Sequence, residues 1–291
     1  MPFAPSHGRD IYYERHGQGP AVLFCHGAGS NAATWWQQLP TVSREFTCIT
    51  IDTRCFGRSV APLEEFDLAL FVDDVLAVLD AERIDRVALV GQSLGGMIGL
   101  RMALQHPGRV STFVACDTSL AVDHPALIDA MARRAVAAQA LTVEERSLGR
   151  WFLQNHPERA ALYAQINHFN PSAYAFTSEG WGAAVSGLMA PHNLLPMDRL
   201  RDVACPTLLI VGSEDPLVPV DVVHEFARHI AHSEVRVIDQ AGHSAYFEKA
   251  DEFNGHLMDF LRRYAVGAPQ VLSARCSDGN APGWRDNGAF H

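Results

Sequence analysis

One serine of this sequence lies in a context that suits a nucleophile. Ser93 is at the centre of Gly91-Gln92-Ser93-Leu94-Gly95, between the apolar stretch 86–90, typical of a buried strand, and a helical stretch that begins at Leu94. A serine on such a sharp turn needs small residues two positions away on each side, because the turn brings those backbones together. The same turn exposes the serine hydroxyl. The competing interpretation is a glycine-rich turn that carries an ordinary exposed serine.

A serine hydroxyl is a poor nucleophile unless a base takes its proton. Among the 14 histidines, His243 differs because it follows Ala241-Gly242 on a loop just after the apolar stretch 234–238. We therefore expect it at the carboxyl edge of the sheet, where ligands bind in open α/β folds. The other candidates belong to helical segments or their ends, where we expect surface or packing roles: His224, His229, His232 and His256.

The base in turn needs an acid that holds its tautomer and stabilises the imidazolium. Asp215 suits this role because it follows the apolar stretch 207–211, in the turn Gly212-Ser213-Glu214-Asp215-Pro216. Glu214 and Asp117 are competing acids, and Asp117 also follows a strand-like stretch. The alternative for Asp215 itself is a capping or turn residue before proline.

Acyl transfer also requires hydrogen-bond donors for the oxyanion. The N–H of Leu94 is one candidate, because it follows Ser93 directly. The second is the N–H of Ala28 in His26-Gly27-Ala28-Gly29, where small residues let the loop approach the site. The sequence therefore predicts an acyl-transfer site of three side chains and two backbone amides.

These segments together resemble the α/β-hydrolase fold superfamily. The resemblance rests on HGAG at 26–29, DTRCFGRS at 52–59, GQSLGG at 91–96, GSEDP at 212–216 and AGHS at 241–244. The order Ser, Asp, His along the chain is that family's order. The match covers about residues 10–118 and 200–265 and is nearest to small ester and lactone hydrolases such as the 3-oxoadipate enol-lactonase group. One departure is Cys55, where relatives usually carry glycine, and we expect it to have a structural effect only.

The resemblance implies a serine hydrolase that cleaves a carboxylic ester or lactone through an acyl-enzyme, with no metal or organic cofactor. In this reaction Ser93 is the nucleophile, His243 the base and Asp215 the residue that orients the base. Haloalkane dehalogenases and epoxide hydrolases of this fold carry Asp at the position of Ser93, which excludes them. Three alternatives stay open: a C–C bond hydrolase, a cofactor-free perhydrolase and a non-catalytic ligand-binding homologue.

A dinucleotide-binding domain is a rival from another class. Gly27, Gly29 and Ala32 follow a strand-like stretch in nearly the Rossmann spacing, and Asp52 ends the next such stretch. His26 nevertheless stands where the phosphate turn normally begins. This interpretation also leaves the set of Ser93, Asp215 and His243 without a role, so we disfavour it.

The elements that position these residues alternate along the chain. The strand-like stretches are continuous in hydrophobicity, as in parallel strands covered on both faces: 21–25, 47–51, 86–90, 110–116, 207–211 and 234–238. Tyr12-Tyr13 adds an antiparallel edge pair. Helical periodicity or a helical position marks the segments between them: 66–79, 94–105, 220–230 and 251–264. The alternation predicts an α/β fold with a mainly parallel sheet flanked by helices.

The alternation stops after the sixth strand. We expect residues 1–118 and 200–266 to form the core, 119–199 to form a helical cap with helices at 126–141 and 143–155, and 267–291 to form an irregular tail. The cap is rich in aromatic residues, which favour a small or medium apolar acyl group. The expected substrate-binding residues are Trp36, Trp151, Phe152, Phe169, Tyr174, Trp181 and Leu217.

Composition excludes several other functions. The 23 basic and 33 acidic residues give a net charge of −10, which disfavours binding to nucleic acid or anionic membranes. No apolar run approaches the roughly 20 residues of a membrane span, no secretory signal is visible, and the six cysteines form no Cys-x-x-Cys pair. We therefore expect a cytoplasmic monomer or homodimer that binds no metal and whose partner is a small-molecule ester or lactone.

Overall fold

The computed structural model describes residues 2–137, 140–170 and 176–265. Its strands are β1 (Phe3–Ser6), β2 (Arg9–His16), β3 (Ala21–Cys25), β4 (Thr47–Ile51), β5 (Val87–Gln92), β6 (Val110–Cys116), β7 (Thr207–Gly212) and β8 (Ser233–Ile238). They form one sheet in the order β1-β2-β4-β3-β5-β6-β7-β8. The pairs β1–β2 and β2–β4 are antiparallel and all the other pairs are parallel. The predicted α/β fold class is confirmed, with the antiparallel pair at its edge.

Helices fill the connections between the strands. They are α1 (Leu39–Val42), α2 (Leu68–Ala81), α3 (Leu94–Gln105), α4 (Pro125–Ala137), α5 (Val143–Ser147), α6 (Arg150–Asn155), α7 (Pro157–His168), α8 (Ser178–Gly187), α9 (Val220–His229), α10 (Ala245–Glu248) and α11 (Ala250–Tyr264). The predicted start of α2 at residue 66 is two residues early, because Asp67 accepts the N–H groups of Ala69 and Leu70 and caps the helix there. None of the described helices combines the length and the apolarity that crossing a membrane requires.

Both faces of the sheet are buried, which explains the continuous apolar strands. In β3, Leu23 and Cys25 pack into the apolar cluster that includes α2, α3 and α9, whereas Val22 and Phe24 pack into the cluster that includes α10 and α11. Successive side chains of a strand point to opposite faces, so a strand covered on both sides must be apolar at every position. The sheet therefore lies between two layers of helices.

The segment between β6 and β7 is helical and contains α4 to α8. The single helix predicted over 143–155 is two helices, because Leu148 and Gly149 are extended and Gly149 is the N-cap of α6. Asn170 ties this segment to the core by donating to the Gly29 carbonyl at 2.8 Å and accepting from the Gly57 N–H at 2.7 Å. The division into core, cap and tail stays a prediction, and the tail at 267–291 lies outside the described residues.

A fully buried guanidinium holds the loop after β4. Arg54 has 0% side-chain exposure and donates from Nη2 and Nε to the carboxylate of Asp74 on α2, at 2.6 and 3.0 Å. Its Nη1 donates to Glu65 at 2.6 Å. The next residue, Cys55, has a φ of +73°, the left-handed region that glycine adopts most readily. This conformation is the physical reason to expect glycine at that position.

Removing Asp74 should lower the free energy of unfolding far more than removing an exposed aspartate that also pairs with an arginine. We expect Asp74→Ala to lower the free energy of unfolding by about 3–5 kcal/mol, because it leaves the buried Arg54 undercompensated. Asp80→Ala on the same helix breaks the exposed pair with Arg109 and should cost less than about 1 kcal/mol. Urea denaturation of both variants measures the difference, and equal losses would contradict the structural role of the buried pair.

Candidate active site

Ser93 lies on a strained turn between β5 and α3. Its φ is +50° and its ψ is −110°, values that a residue with a side chain adopts only under constraint. A Cβ atom on Gly91 would lie 2.2 Å from the Gly95 carbonyl oxygen, and one on Gly95 would lie 2.1 Å from the Cys25 carbonyl oxygen. Both glycines are therefore required by the close approach of backbones, as the pattern around Ser93 predicts.

The structure brings Ser93, His243 and Asp215 into one hydrogen-bonded row. The Ser93 Oγ lies 3.0 Å from His243 Nε2. On the other side of the ring, His243 Nδ1 lies 2.9 Å from Asp215 Oδ2 and 3.1 Å from Oδ1. Asp215 is fully buried at its side chain and also accepts the N–H groups of Leu217 and Val218, which fix its orientation. This is the arrangement that activates a serine hydroxyl.

The competing acids have other partners. Asp117 accepts the N–H of Gly212 through Oδ1 and the N–H of Ala245 through Oδ2, both at 2.9 Å. Burial, with the Asp215 charge nearby, raises the pKa of Asp117 well above its ordinary value. Glu214 accepts the N–H of Trp151. Neither carboxylate bonds to the His243 ring, so Asp215 alone occupies the orienting position among the three.

The loop that carries Ala28 is held by a neutral histidine. His26 is fully buried, and burial lowers its pKa to about 4. Its Nε2 accepts the N–H of Thr53 at 3.0 Å, so its Nδ1 carries the proton and donates to the Gly27 carbonyl at 2.8 Å. Within the described residues, the N–H groups of Ala28 and Leu94 donate to no protein acceptor. No protein group among the described residues therefore competes for either N–H.

A cavity of about 440 Å³ opens above Ser93 and His243. Of the predicted substrate-binding residues, Trp181 and Leu217 line it. The sequence did not single out several polar residues that also line it: Ser30, Arg134, Arg146, Asn167, Ser178 and Ser186. The Ser30 hydroxyl is buried and has no hydrogen-bond partner in the described structure. In the described part of the chain, no three His, Cys, Asp or Glu side chains lie close enough to hold a metal ion.

Four predicted wall residues lie elsewhere. Phe152 is fully buried in the apolar cluster of α10 and α11, and its ring contacts Phe247. Trp151 packs beside that cluster under the ammonium of Lys249, whose Nζ lies 3.6 Å from the ring centroid. Trp36 and Phe169 are 46% and 59% exposed and do not line the cavity. Tyr174 lies outside the described residues.

Comparison with known proteins gives the same fold. The family model for the alpha/beta hydrolase fold matches residues 20–250. The chain belongs to this family. The matched residues include Ser93, Asp215 and His243.

The relatives of this alpha/beta hydrolase are hydrolases. It is 27% identical over 261 residues to 3-oxoadipate enol-lactonase 2 of Acinetobacter baylyi, covering 87% of this chain and 94% of that one. It is 33% identical over 276 residues to a protein of Variovorax paradoxus with the provisional name carbamate hydrolase RutD, covering 90% and 98%. Among solved structures, Est816, described as an N-acyl homoserine lactone degrading enzyme, matches with a TM-score of 0.76 and 29% identity, covering 89% and 100%.

In this hydrolase one buried carboxylate holds the His243 loop. Glu248 on α10 is 2% exposed, and its Oε1 accepts the N–H groups of Gly242 and Ser244, at 2.9 and 3.2 Å. Its Oε2 accepts the N–H of Gly149 at 2.8 Å, at the start of α6. Glu248 therefore joins the residues on both sides of His243 to the helical segment above. The only signal in the sequence is an acidic residue inside the apolar stretch after His243.

Glu248 should make the stability of the protein depend on pH. Burial raises its pKa from 4.5 to about 7, so between these pH values the folded protein holds a proton that the unfolded chain releases. The contribution of this group to the free energy of unfolding therefore falls by about 3 kcal/mol as the pH rises through that window. Glu248→Gln should remove this part of the decrease, as measured by urea denaturation at a series of pH values.

The exposed Glu252 on α11 provides the matched control. Glu252→Gln should leave the shape of the stability curve as it is in the unmodified protein. If Glu248→Gln also gave a curve parallel to that of the unmodified protein, the raised pKa of Glu248 would be contradicted.

Proposed function

We propose that this hydrolase cleaves a carboxylic ester or a lactone through an acyl-enzyme formed on Ser93. The observation that carries the proposal is the hydrogen-bonded row from Ser93 Oγ through His243 to Asp215, which opens into the cavity. A serine activated in this way attacks carbonyl carbons, and esters and lactones are its simplest substrates.

The reaction follows from the positions of the side chains. Ser93 Oγ attacks the carbonyl carbon while His243 Nε2 takes the hydroxyl proton, and Asp215 stabilises the imidazolium. When the C–O bond breaks, His243 returns that proton to the leaving alkoxide. In the second half, His243 takes a proton from water, the resulting hydroxide attacks the acyl-enzyme, and Ser93 leaves with the proton.

The developing oxyanion needs donors that are already in place. We assign this role to the N–H groups of Ala28 and Leu94, which have no protein acceptor in the described structure. His26 supports the assignment, because its neutral ring donates to the Gly27 carbonyl and so holds the backbone beside Ala28 in place.

Two of the similar proteins support the ester and lactone class. The name of one contains enol-lactonase, and another is described as degrading a lactone. In a lactone the alcohol stays tethered to the acyl group, so a single cavity accommodates both.

Ser93→Ala should reduce kcat for a short p-nitrophenyl ester by about 10⁴-fold or more, since the nucleophile is lost. A fluorophosphonate probe should label the unmodified protein and should fail to label this variant. Ser43→Ala, at the end of α1 and outside the cavity, is the control and should retain both activity and labelling. If the unmodified protein is not labelled, a non-catalytic ligand-binding protein becomes the better interpretation.

Two substitutions separate the competing acids. Asp215→Asn should lower kcat by about 10⁴-fold, because the amide favours the wrong tautomer of His243. Asp117→Asn should keep kcat within about tenfold, because Asp117 bonds to the backbone amides of Gly212 and Ala245 and not to the His243 ring. Circular dichroism establishes that both variants fold, and the reverse order of effects would assign the acid to Asp117.

A further inference from the structure

The strand β8 lies at one edge of the sheet. It pairs with β7 on one side, and no other strand of the described residues pairs with its outer side. Val237 is 39% exposed at this edge. The outer side of an edge strand carries N–H and C=O groups without strand partners, so it can pair with a further strand. The edge of β8 is therefore a candidate interaction surface.

The backbone groups that point outward belong to alternate residues of β8. The carbonyls of His232 and Ile238 accept the N–H groups of Thr207 and Ser213, at 2.8 and 2.9 Å, so both carbonyls face β7. Backbone groups alternate between the two sides of a strand, so the even-numbered residues between these two also face β7. The residues whose N–H and C=O groups point outward are Ser233, Val235 and Val237.

The two charged residues of β8 lie symmetrically about the middle one of these three. Glu234 precedes Val235 and Arg236 follows it. Alternate residues of a strand share a face, and Glu234 pairs with Arg263 of α11, so both side chains lie on the face that α11 covers. The strand therefore presents one charge of each sign on the same face, with Val235 between them.

This symmetry makes the edge complementary to itself in one register. In an antiparallel pair, residues with outward backbone groups must lie opposite one another to exchange hydrogen bonds. If Val235 lies opposite Val235 of a second copy, Glu234 lies opposite Arg236 of that copy. A slip of two residues brings two Glu234 or two Arg236 side chains opposite each other, which is destabilising. Parallel pairing with matched residues also places like charges together. The charges therefore select one antiparallel register.

The alternative role of Arg236 is to protect the edge from association. Its Nη1 donates to the outward carbonyl of Val235 at 2.9 Å, and basic residues on edge strands commonly prevent pairing with other chains. Such protection depends on repulsion between like charges, whereas Glu234, two residues earlier, makes a second copy attractive to Arg236. The Arg236 side chain is 39% exposed, so it can turn from the carbonyl to a carboxylate of that copy.

We propose that the edge of β8 binds a second copy of this chain, with the two strands antiparallel and Val235 on the two-fold axis. The three outward residues of each strand would then exchange about six main-chain hydrogen bonds. The pairs of Glu234 with Arg236 fix the register and the choice of partner more than they add affinity. An interface built on one strand is small, so the association is weak and depends on concentration. The proposal is independent of the reaction at Ser93.

Sedimentation equilibrium of the full chain over a series of concentrations tests the proposal. The average mass should rise from that of one chain towards that of two. Arg236→Glu should raise the dissociation constant of the dimer by about tenfold or more, because two attractive cross-strand pairs become two pairs of like charge. Glu234→Arg should have the same effect for the same reason. The double variant Glu234→Arg/Arg236→Glu should restore much of the association, because opposite charges again face each other.

Arg133→Glu is the matched control. Arg133 lies on α4, is exposed and pairs with Asp129, and this substitution changes the net charge by the same amount as Arg236→Glu. Its dissociation constant should equal that of the unmodified protein. Circular dichroism establishes that each variant folds, without reference to enzymatic activity.

Hydrogen exchange reports on the strand itself. The outward amides of Val235 and Val237 should exchange more slowly at concentrations where the dimer forms than in dilute solution. A chain that stays monomeric at every concentration overturns the proposal, and protection of these amides in that monomer would mean that the chain covers its own edge. A dimer that neither single charge reversal weakens also overturns it, because another surface then forms the interface.

Discussion

The turn at Ser93 is the constraint on which the rest of the site depends. A positive φ at a residue with a side chain costs on the order of 1–3 kcal/mol, so the surroundings must hold it. The N–H of Ser93 donates to the Cys116 carbonyl at 3.0 Å, and the Thr118 hydroxyl donates to the Ser93 carbonyl at 2.7 Å. Both partners belong to β6 or its end, so the strained turn requires the neighbouring parallel strand.

The parallel sheet also explains why three distant segments meet. Ser93, Asp215 and His243 follow β5, β7 and β8, and the carboxyl ends of parallel strands lie at one edge of a sheet. The sheet alone does not orient the histidine. Glu248 binds the amides on both sides of it, and Gln92 donates to its carbonyl at 2.7 Å. Because Glu248 also accepts the N–H of Gly149, the helices between β6 and β7 are joined to the loop that carries His243.

How far the sequence predicts the structure depends on how local the cause is. The central strands and the glycines around Ser93 were predictable, because burial on both faces and a tight turn restrict residue types directly. The aromatic residues of the helical segment were not. Phe152 is of a residue type that often lines pockets, but its ring packs against Phe247 instead. Which face of a short helix is buried depends on tertiary packing, and the sequence of that helix alone does not determine this packing. The positions of Glu248 and Arg134 at the site were not predicted for the same reason.

The composition of the whole chain also does not predict the charge of the cavity wall. A net charge of −10 describes the whole surface and opposes anions at long range. Inside the cavity, exposed carboxylates act weakly because water and salt screen them within about 8–10 Å, whereas Arg134 and Arg146 lie in its wall. The described wall of the cavity therefore contains two basic residues although the chain as a whole is acidic.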